Sequence, residues 1–227
     1  KEWVTGQPHR TMTLSADQAA RHFGSRPRYT LPNGLQIVQL NPYETDYVYK
    51  EIFEDRCYLK HGISLRDGDT VVDIGANIGL FSLFVMSQCR ASRVFAFEPA
   101  PAVYELLRAN CEAYGATVHA VNAGVSDAPR TATFPFYEKS SVFSGFHTDE
   151  ADDREAIEAI VRNTLASATT VDPDAVQEYV RDLTADRLRR TTHEVRLTSL
   201  SEIIREHAID TIDLGRRDRD RDDHRRR

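Results

Sequence analysis

Two carboxylates and two glycines carry the chemistry legible in this chain. Asp73, Gly75 and Gly79 stand in "VVDIGANIGLF", where a short apolar run ends. Glu98 closes a second apolar run, "RVFAFE", roughly 20 residues further on. A glycine after a buried strand can turn sharply because it has no Cβ. The helix that follows then aims free N–H groups and a partial positive charge at the space beyond the strand end. The spacing is Asp73-x-Gly75-x-x-x-Gly79, and the middle glycine of a dinucleotide fingerprint is missing. Ala76 and Asn77 fill the turn. A pyrophosphate wants that middle glycine. A ligand with an amino acid in its place tolerates Asn77, and Asp73 can then hold an ammonium directly or through water. An acid in the place of Glu98 is where a ribose diol is bound. Ribose together with an amino-acid end describes S-adenosylmethionine.

The elements that must position these groups are readable from periodicity. Thr70–Ile74, Arg93–Phe97 and Thr117–Val121 read as strands, and Ile78–Gln88 and Pro101–Tyr114 as helices. Pro101 suits a first helical turn. Strand–helix–strand–helix–strand predicts an α/β fold with a parallel, Rossmann-like sheet. Upstream, Ser15–Phe23 reads as a short helix, "YTLPNGLQIVQLNP" as strand–turn–strand, and "ETDYVYKEIFEDRCYL" as a helix. Downstream, "RTATFPFY" adds a strand. The acidic text of about 149–190 reads as an inserted helical pair. Glu194–Leu197 is a strand before a helix capped by Thr198 or Ser199, with Glu202 placed for a capping box. The predicted organisation is a lead with its helix at 1–68, a partial sheet domain at 69–214 and a solvated tail at 215–227.

Composition bounds the function. The 227 residues carry 29 basic and 35 acidic side chains, a net charge of −6, so nucleic acid is a poor partner. The tail "GRRDRDRDDHRRR" hides a stronger bias, since without it 22 basic residues face 31 acidic ones. Cys57, Cys89 and Cys111 share no short spacing, which excludes a CxxC zinc or redox motif and suits a reducing, cytoplasmic setting. No run of about 18 apolar residues predicts a membrane span. The chain opens on Lys1, as a piece of a longer polypeptide or a trimmed one would.

"DGDTVVDIGANIGLFSLF", "VFAFEPAPAVYELLRANC" and "NAGVSD" resemble the FkbM-type methyltransferases. "NPYETDYVYKEIFEDRCYLKHGISL", "SSVFSGF" and "LTSLSEIIREHAIDTIDL" extend the resemblance to roughly residues 30–214. The acidic helical insert is most similar to domains of polyketide and nonribosomal peptide assembly lines. The resemblance implies a class I methyltransferase sheet and S-adenosylmethionine as cofactor. It implies that Asp73, Gly75, Ala76, Asn77 and Gly79 form the methionine-side turn and that Glu98 takes the ribose hydroxyls. Asn122 is implied to contact adenine or ribose, or else is a plain turn residue. Thr45 and Tyr49 close over the cofactor, or else are a helix N-terminus and a core aromatic. The sulfonium is an activated leaving group, so the protein mainly supplies alignment and a base for the acceptor hydroxyl. His147 is the candidate base, in a stretch shared with Glu138, Ser144 and Asp149. His61 reads as structural. No metal-ligand spacing exists, and no metal is expected.

The chain departs from the family after Leu214, where a Lys-Ile-Asp-x-Glu-like strand gives way to Arg/Asp text. This suggests a truncated or frame-shifted end, whose residues from Gly215 on should enter no core. The expected activity is O-methyl transfer to a hydroxyl of a natural-product intermediate, free or tethered to a carrier protein. Two rivals stay open: a non-catalytic remnant or docking domain, and a methyltransferase acting on a sugar hydroxyl or an amine. An unfinished sheet would invite neighbouring domains or self-association. Neither nucleic acid nor membrane is an expected partner.

Overall fold

The computed structural model describes residues 12–115, 117–146, 150–166 and 173–217. The chain divides into two compact units, one of Lys1–Ala132 with Val195–Arg227 and one of Thr133–Glu194.

The first unit opens with α1 (Ala16–Phe23). Ser15 Oγ accepts from the Gln18 N–H and the Gln18 side chain accepts from the Ser15 N–H, a reciprocal capping box. The short strands β1 (Tyr29–Thr30) and β2 (Gln36–Ile37) pair antiparallel around the Pro-Asn-Gly turn. Asn41 caps α2 (Pro42–Tyr49), accepting from the Glu44 N–H at 2.9 Å. The predicted single helix then changes character, with a π-helical stretch over Lys50–Glu54 and a 3-10 turn at Cys57–Leu59.

The central sheet follows the predicted alternation. It runs β3 (Thr70–Ile74), α3 (Leu80–Gln88), β4 (Arg93–Phe97), α4 (Pro101–Tyr114) and β5 (Val118–Val121). Strand β6 (Gly124–Ser126) comes next, then β7 (Arg130–Tyr137), which leads into the second unit. The chain returns along β8 (Arg190–Ser199), considerably longer than predicted, into α7 (Leu200–Glu206) and β9 (Leu214–Arg217). Helices α5 (Glu150–Ala166) and α6 (Pro173–Arg187) lie in the second unit. The four-stranded sheet is parallel, in the order β5-β4-β3-β9. Successive strands step outward from β3 on one side, and β9 returns to its other side. That reversal at β3 is a topological switch point, outside which open α/β sheets bind ligands.

Both faces of the inner strands β3 and β4 are covered, so these strands are mostly apolar rather than alternating. Val72, Phe95 and Phe97 pack on Ile203 of α7 and on Ile209. On the other face Ala96 meets Leu107 and Cys111 of α4. Ser199 caps α7, its Oγ accepting from the Glu202 N–H at 3.2 Å. Thr198 instead donates to the Glu202 carboxylate at 3.0 Å.

The expectation that nothing beyond Leu214 enters the fold does not hold. Strand β9 continues through Arg217, with Gly215 opposite Val72 and Arg216 opposite Asp73. Arg216 is only 7 % exposed. Its charge is tolerated there because it is paired and its planar group lies over aromatic rings. Residues 218–227 lie outside the described part.

The second unit has a small core of its own. Helices α5 (Glu150–Ala166) and α6 (Pro173–Arg187) form the expected pair. Ile157, Val161 and Val180 pack together with Phe143, Leu183 and Leu188. The Tyr137 hydroxyl donates to buried Asp153 at 2.8 Å, and Lys139 pairs with Asp186. No helix among the described residues is long and apolar enough to cross a membrane.

Candidate active site at the strand ends

The turn after β3 is built from left-handed residues: Gly75 has φ 73°, Asn77 φ 49° and Gly79 φ 90°. Glycine and asparagine adopt this region most readily. The Gly75 and Ala76 N–H groups both donate to Phe97 O of the neighbouring strand, at 3.0 and 2.9 Å. Asn77 Oδ1 accepts from the next N–H, that of Ile78, at 2.7 Å. This turn delays α3 to Leu80, two residues beyond its predicted start, with Gly79 as its N-cap. A Cβ on Gly79 would lie 2.8 Å from Leu107 Cδ1 and 3.2 Å from Cys111 Sγ. The glycine thus lets the start of α3 approach α4.

Glu98 stands where β4 ends and is 6 % exposed. One carboxylate oxygen accepts from the Asn77 N–H at 3.0 Å, the other from the Ala100 N–H at 2.9 Å. Asn122, just past β5, donates through Nδ2 to the carbonyls of Glu98 and Pro99, at 2.8 and 3.2 Å. Three strand ends are therefore tied together: the turn from Gly75 to Gly79 after β3, Glu98 after β4 and Asn122 after β5.

Asp73 is completely buried. Its Oδ2 accepts from Ser82 Oγ at 3.0 Å, and its Oδ1 from Arg216 Nη1 at 2.7 Å. The same Arg216 nitrogen donates to Gly75 O at 3.2 Å, and Nη2 donates to the Tyr58 hydroxyl at 3.2 Å. The guanidinium lies over the Tyr58 and Phe81 rings, 4.7 and 5.3 Å from their centres.

Sequence reasoning missed Arg216, Tyr58 and Ser82. An aspartate in an apolar strand demands partners, so the need was legible, but the choice among 29 basic residues was not. Asn110 was also missed. Fully buried on α4, it accepts from Val38 N–H at 2.8 Å and donates to Val38 O and Ile78 O, both at 2.9 Å. It clamps the lead segment and the glycine turn to one helix.

Other candidates have different surroundings. Buried Thr45 donates to Gln39 Oε1 at 2.6 Å. Tyr49 is buried and stacks on Phe53, which meets Phe84 edge-on. His147 and Asp149 lie outside the described residues. Glu138 and Ser144 belong to the second unit, where Ser144 Oγ accepts from the Tyr137 N–H. His61 is an exposed turn residue with φ 59°. Burial raises the Cys111 thiol, and raises that of Cys89 to about 11, so neither is a ready thiolate nucleophile. Among the described residues no three His, Cys, Asp or Glu side chains are grouped to hold a metal.

The site can be compared with known proteins. The methyltransferase FkbM domain family matches residues 73–214. AMB antimetabolite synthetase AmbE of Pseudomonas aeruginosa is 38% identical over 186 residues, covering 81% of this chain and 9% of that protein. The 31-O-demethyl-FK506 methyltransferase FkbM of Streptomyces tacrolimicus is 36% identical over 190 residues, covering 81% of this chain and 68% of that protein. Methyltransferase sdnD of Sordaria araneosa is 35% identical over 105 residues, 45% of this chain and 40% of that protein. No solved structure matches the chain significantly. The family match spans the glycine turn, Glu98, Asn122 and the start of β9, and with it the chain belongs to the FkbM methyltransferase family.

Proposed function

We propose that the chain is an S-adenosylmethionine-dependent O-methyltransferase acting on a hydroxyl of a natural-product intermediate, free or held on a carrier protein. The observation that carries the cofactor reading is the bond between Glu98 and the Asn77 N–H. It places the acid of the second strand end against the glycine turn of the first, at the switch point of the sheet.

The donor set fits this cofactor at the ribose end. A carboxylate is an acceptor-only group, the chemistry a ribose diol needs, and Glu98 presents it with its oxygens bonded to the Asn77 and Ala100 N–H groups. A ribose diol can share the same oxygens. The Asn77 and Ala100 amides hold the carboxylate in place, so little side-chain ordering remains for binding. Asn122 braces the loop beyond Glu98 from β5. The amino-acid end falls to the turn from Asp73 to Gly79, where Arg216 already lies on Asp73 and Gly75. The cofactor supplies a methyl group on a sulfonium, and the chain supplies alignment. His147 is the base we assign to the acceptor hydroxyl.

The acceptor class rests on relatives. One is named for methylation at an oxygen of FK506. Another is named a synthetase, and this chain spans 9% of it, which supports a domain within a larger biosynthetic protein. A second reading, a binding domain without catalysis, draws on a single fact: the described bonds engage both oxygens of Asp73.

Calorimetric titration with S-adenosylmethionine, followed by transfer of labelled methyl to hydroxyl and amine acceptors, separates these readings. Binding with label on oxygen is the expected result. Binding without transfer to any acceptor supports the second reading. No binding overturns the cofactor assignment.

A further inference from the structure

Two acceptors converge on one nitrogen of Arg216: Asp73 Oδ1 at 2.7 Å and Gly75 O at 3.2 Å. An anionic oxygen and a carbonyl oxygen aimed at a single N–H donor group form a cation subsite. It belongs to the turn where the cofactor's amino-acid end is proposed to sit. Here the cation comes from the chain itself, on a strand directly paired with β3. The other oxygen of Asp73 is engaged by Ser82, and the residue has no exposed surface. A ligand ammonium therefore finds its carboxylate already neutralised.

We propose that Arg216 is an affinity-setting residue whose guanidinium fills the cation subsite of the glycine turn, so that a ligand bringing its own ammonium must displace it. The inference rests on the reading that S-adenosylmethionine binds at this turn. Its physical content is an exchange of cations. When an ammonium replaces a guanidinium on Asp73, one charge-assisted pair is lost for each one gained. Arg216 also leaves the Tyr58 hydroxyl and two ring faces. The amino group of the cofactor then contributes little net affinity, and the ribose contacts carry most of the binding. Without the guanidinium, Asp73 is a buried carboxylate lacking its cation, a costly state that a ligand ammonium relieves. The subsite then discriminates strongly in favour of ligands with an amino group.

The test compares S-adenosylmethionine with 5′-methylthioadenosine, which keeps the adenosine and a methylated sulfur, as a neutral thioether in place of the sulfonium, but has no amino acid. Both are titrated calorimetrically into the wild-type chain and into Arg216→Met, which keeps an apolar stem between the rings. Melting is followed with and without each ligand. We expect Arg216→Met to melt lower alone. We expect it to bind S-adenosylmethionine about tenfold or more tighter, the range of a charge-assisted bond, with a larger ligand-induced rise in melting temperature. Methylthioadenosine should bind both proteins within about twofold. If Arg216→Met does not fold, Arg216→Gln keeps an uncharged donor for Asp73 and takes its place in the same comparison. Equal discrimination between the two ligands in wild type and variant overturns the inference while leaving the cofactor site standing. Failure of both ligands to bind either protein overturns the cofactor site itself, and the inference falls with it.

Discussion

Glu98 and Asn77 join two strand ends through a single hydrogen bond: the carboxylate of one accepts the backbone N–H of the other at 3.0 Å. The acid at the end of β4 is thus a structural brace for the turn after β3 as well as the proposed ribose acceptor. The two roles can be separated. Glu98→Gln keeps one acceptor oxygen but turns an NH2 toward the other backbone donor, so it should lose about half the stability that Glu98→Ala loses, together with roughly ten- to a hundredfold in S-adenosylmethionine affinity. Glu98→Ala leaves the Asn77 and Ala100 amides unpaired and should also destabilise by about 1–3 kcal/mol for each buried group. Calorimetry and urea unfolding read the two effects, and wild-type affinity in Glu98→Gln would remove the ribose role.

Strand β9 makes the end of the fold sensitive to a very small deletion. Ending the chain after Leu214 removes Arg216 and leaves Asp73 buried without its cation. Breaking a buried pair by removing one partner costs about 3–5 kcal/mol. For a chain of this size that corresponds to a fall in melting temperature of roughly 6–20 °C. Scanning calorimetry checks this, and a shift below about 2 °C would mean the pair contributes nothing to stability.

Gly79 is constrained twice, by its φ of 90° and by the approach of α4. Gly79→Ala places a methyl 2.8 Å from Leu107 Cδ1 and 3.2 Å from Cys111 Sγ. Left-handed backbone at a non-glycine residue costs of order 1–3 kcal/mol, and the steric contact adds to it. Destabilisation of at least about 1 kcal/mol is expected in urea unfolding. Gly215, around which a Cβ would find open space, serves as the control and should tolerate alanine far better.

His119 supplies a pH dependence remote from the glycine turn. It stacks on Phe95 and lies 5.2 Å, ring to ring, from His207, while Arg93 lies over the other ring partner, Phe95. Partial desolvation first, then the charges of His207 and Arg93, lowers its pKa below the ordinary 6.5, and because the residue stays exposed on β5, solvent screens much of the effect. The folded state therefore disfavours the protonated ring. Well above pH 6.5 the residue is neutral in both states and costs nothing. As pH falls, the unfolded chain binds the proton first and stability is lost until the folded ring also titrates. Melting temperature should drop slightly between pH 7 and pH 5, by an amount that solvent screening keeps small, and His119→Gln should flatten that part of the profile. An unchanged slope in the variant would assign the dependence to other groups.

Strand β4 and helix α4 begin and end where periodicity places them, and so does β3. These are long apolar or strongly patterned segments, and burial on both faces leaves their sequences little freedom. The glycine turn and the acid of the second strand were legible for the same reason: the requirement for a sharp turn and for a carboxylate at a strand end is met locally. The start of α3 was not, because three left-handed residues extend the turn by an amount that only its bonds to Phe97 and Glu98 decide. The π-helical break after α2 has no local signal in the residues either.

What the residues determined by themselves was the existence of a buried aspartate in need of partners, and of a chain end made of charges. Only the tertiary structure decided that the two answer each other. Asp73 and Arg216 are 143 positions apart, and they meet because β9 pairs in parallel with β3 in a register that sets them side by side. Read locally, an Arg/Asp run has no reason to enter a core, since burying a charge alone is prohibitive. Paired with a carboxylate, bonded to a carbonyl and a hydroxyl and laid over two aromatic rings, the same arginine becomes an interior residue. The partners that make this possible come from the turn after β3, from α3 and from the 3-10 turn of the lead, so no stretch of sequence contains the reason for it.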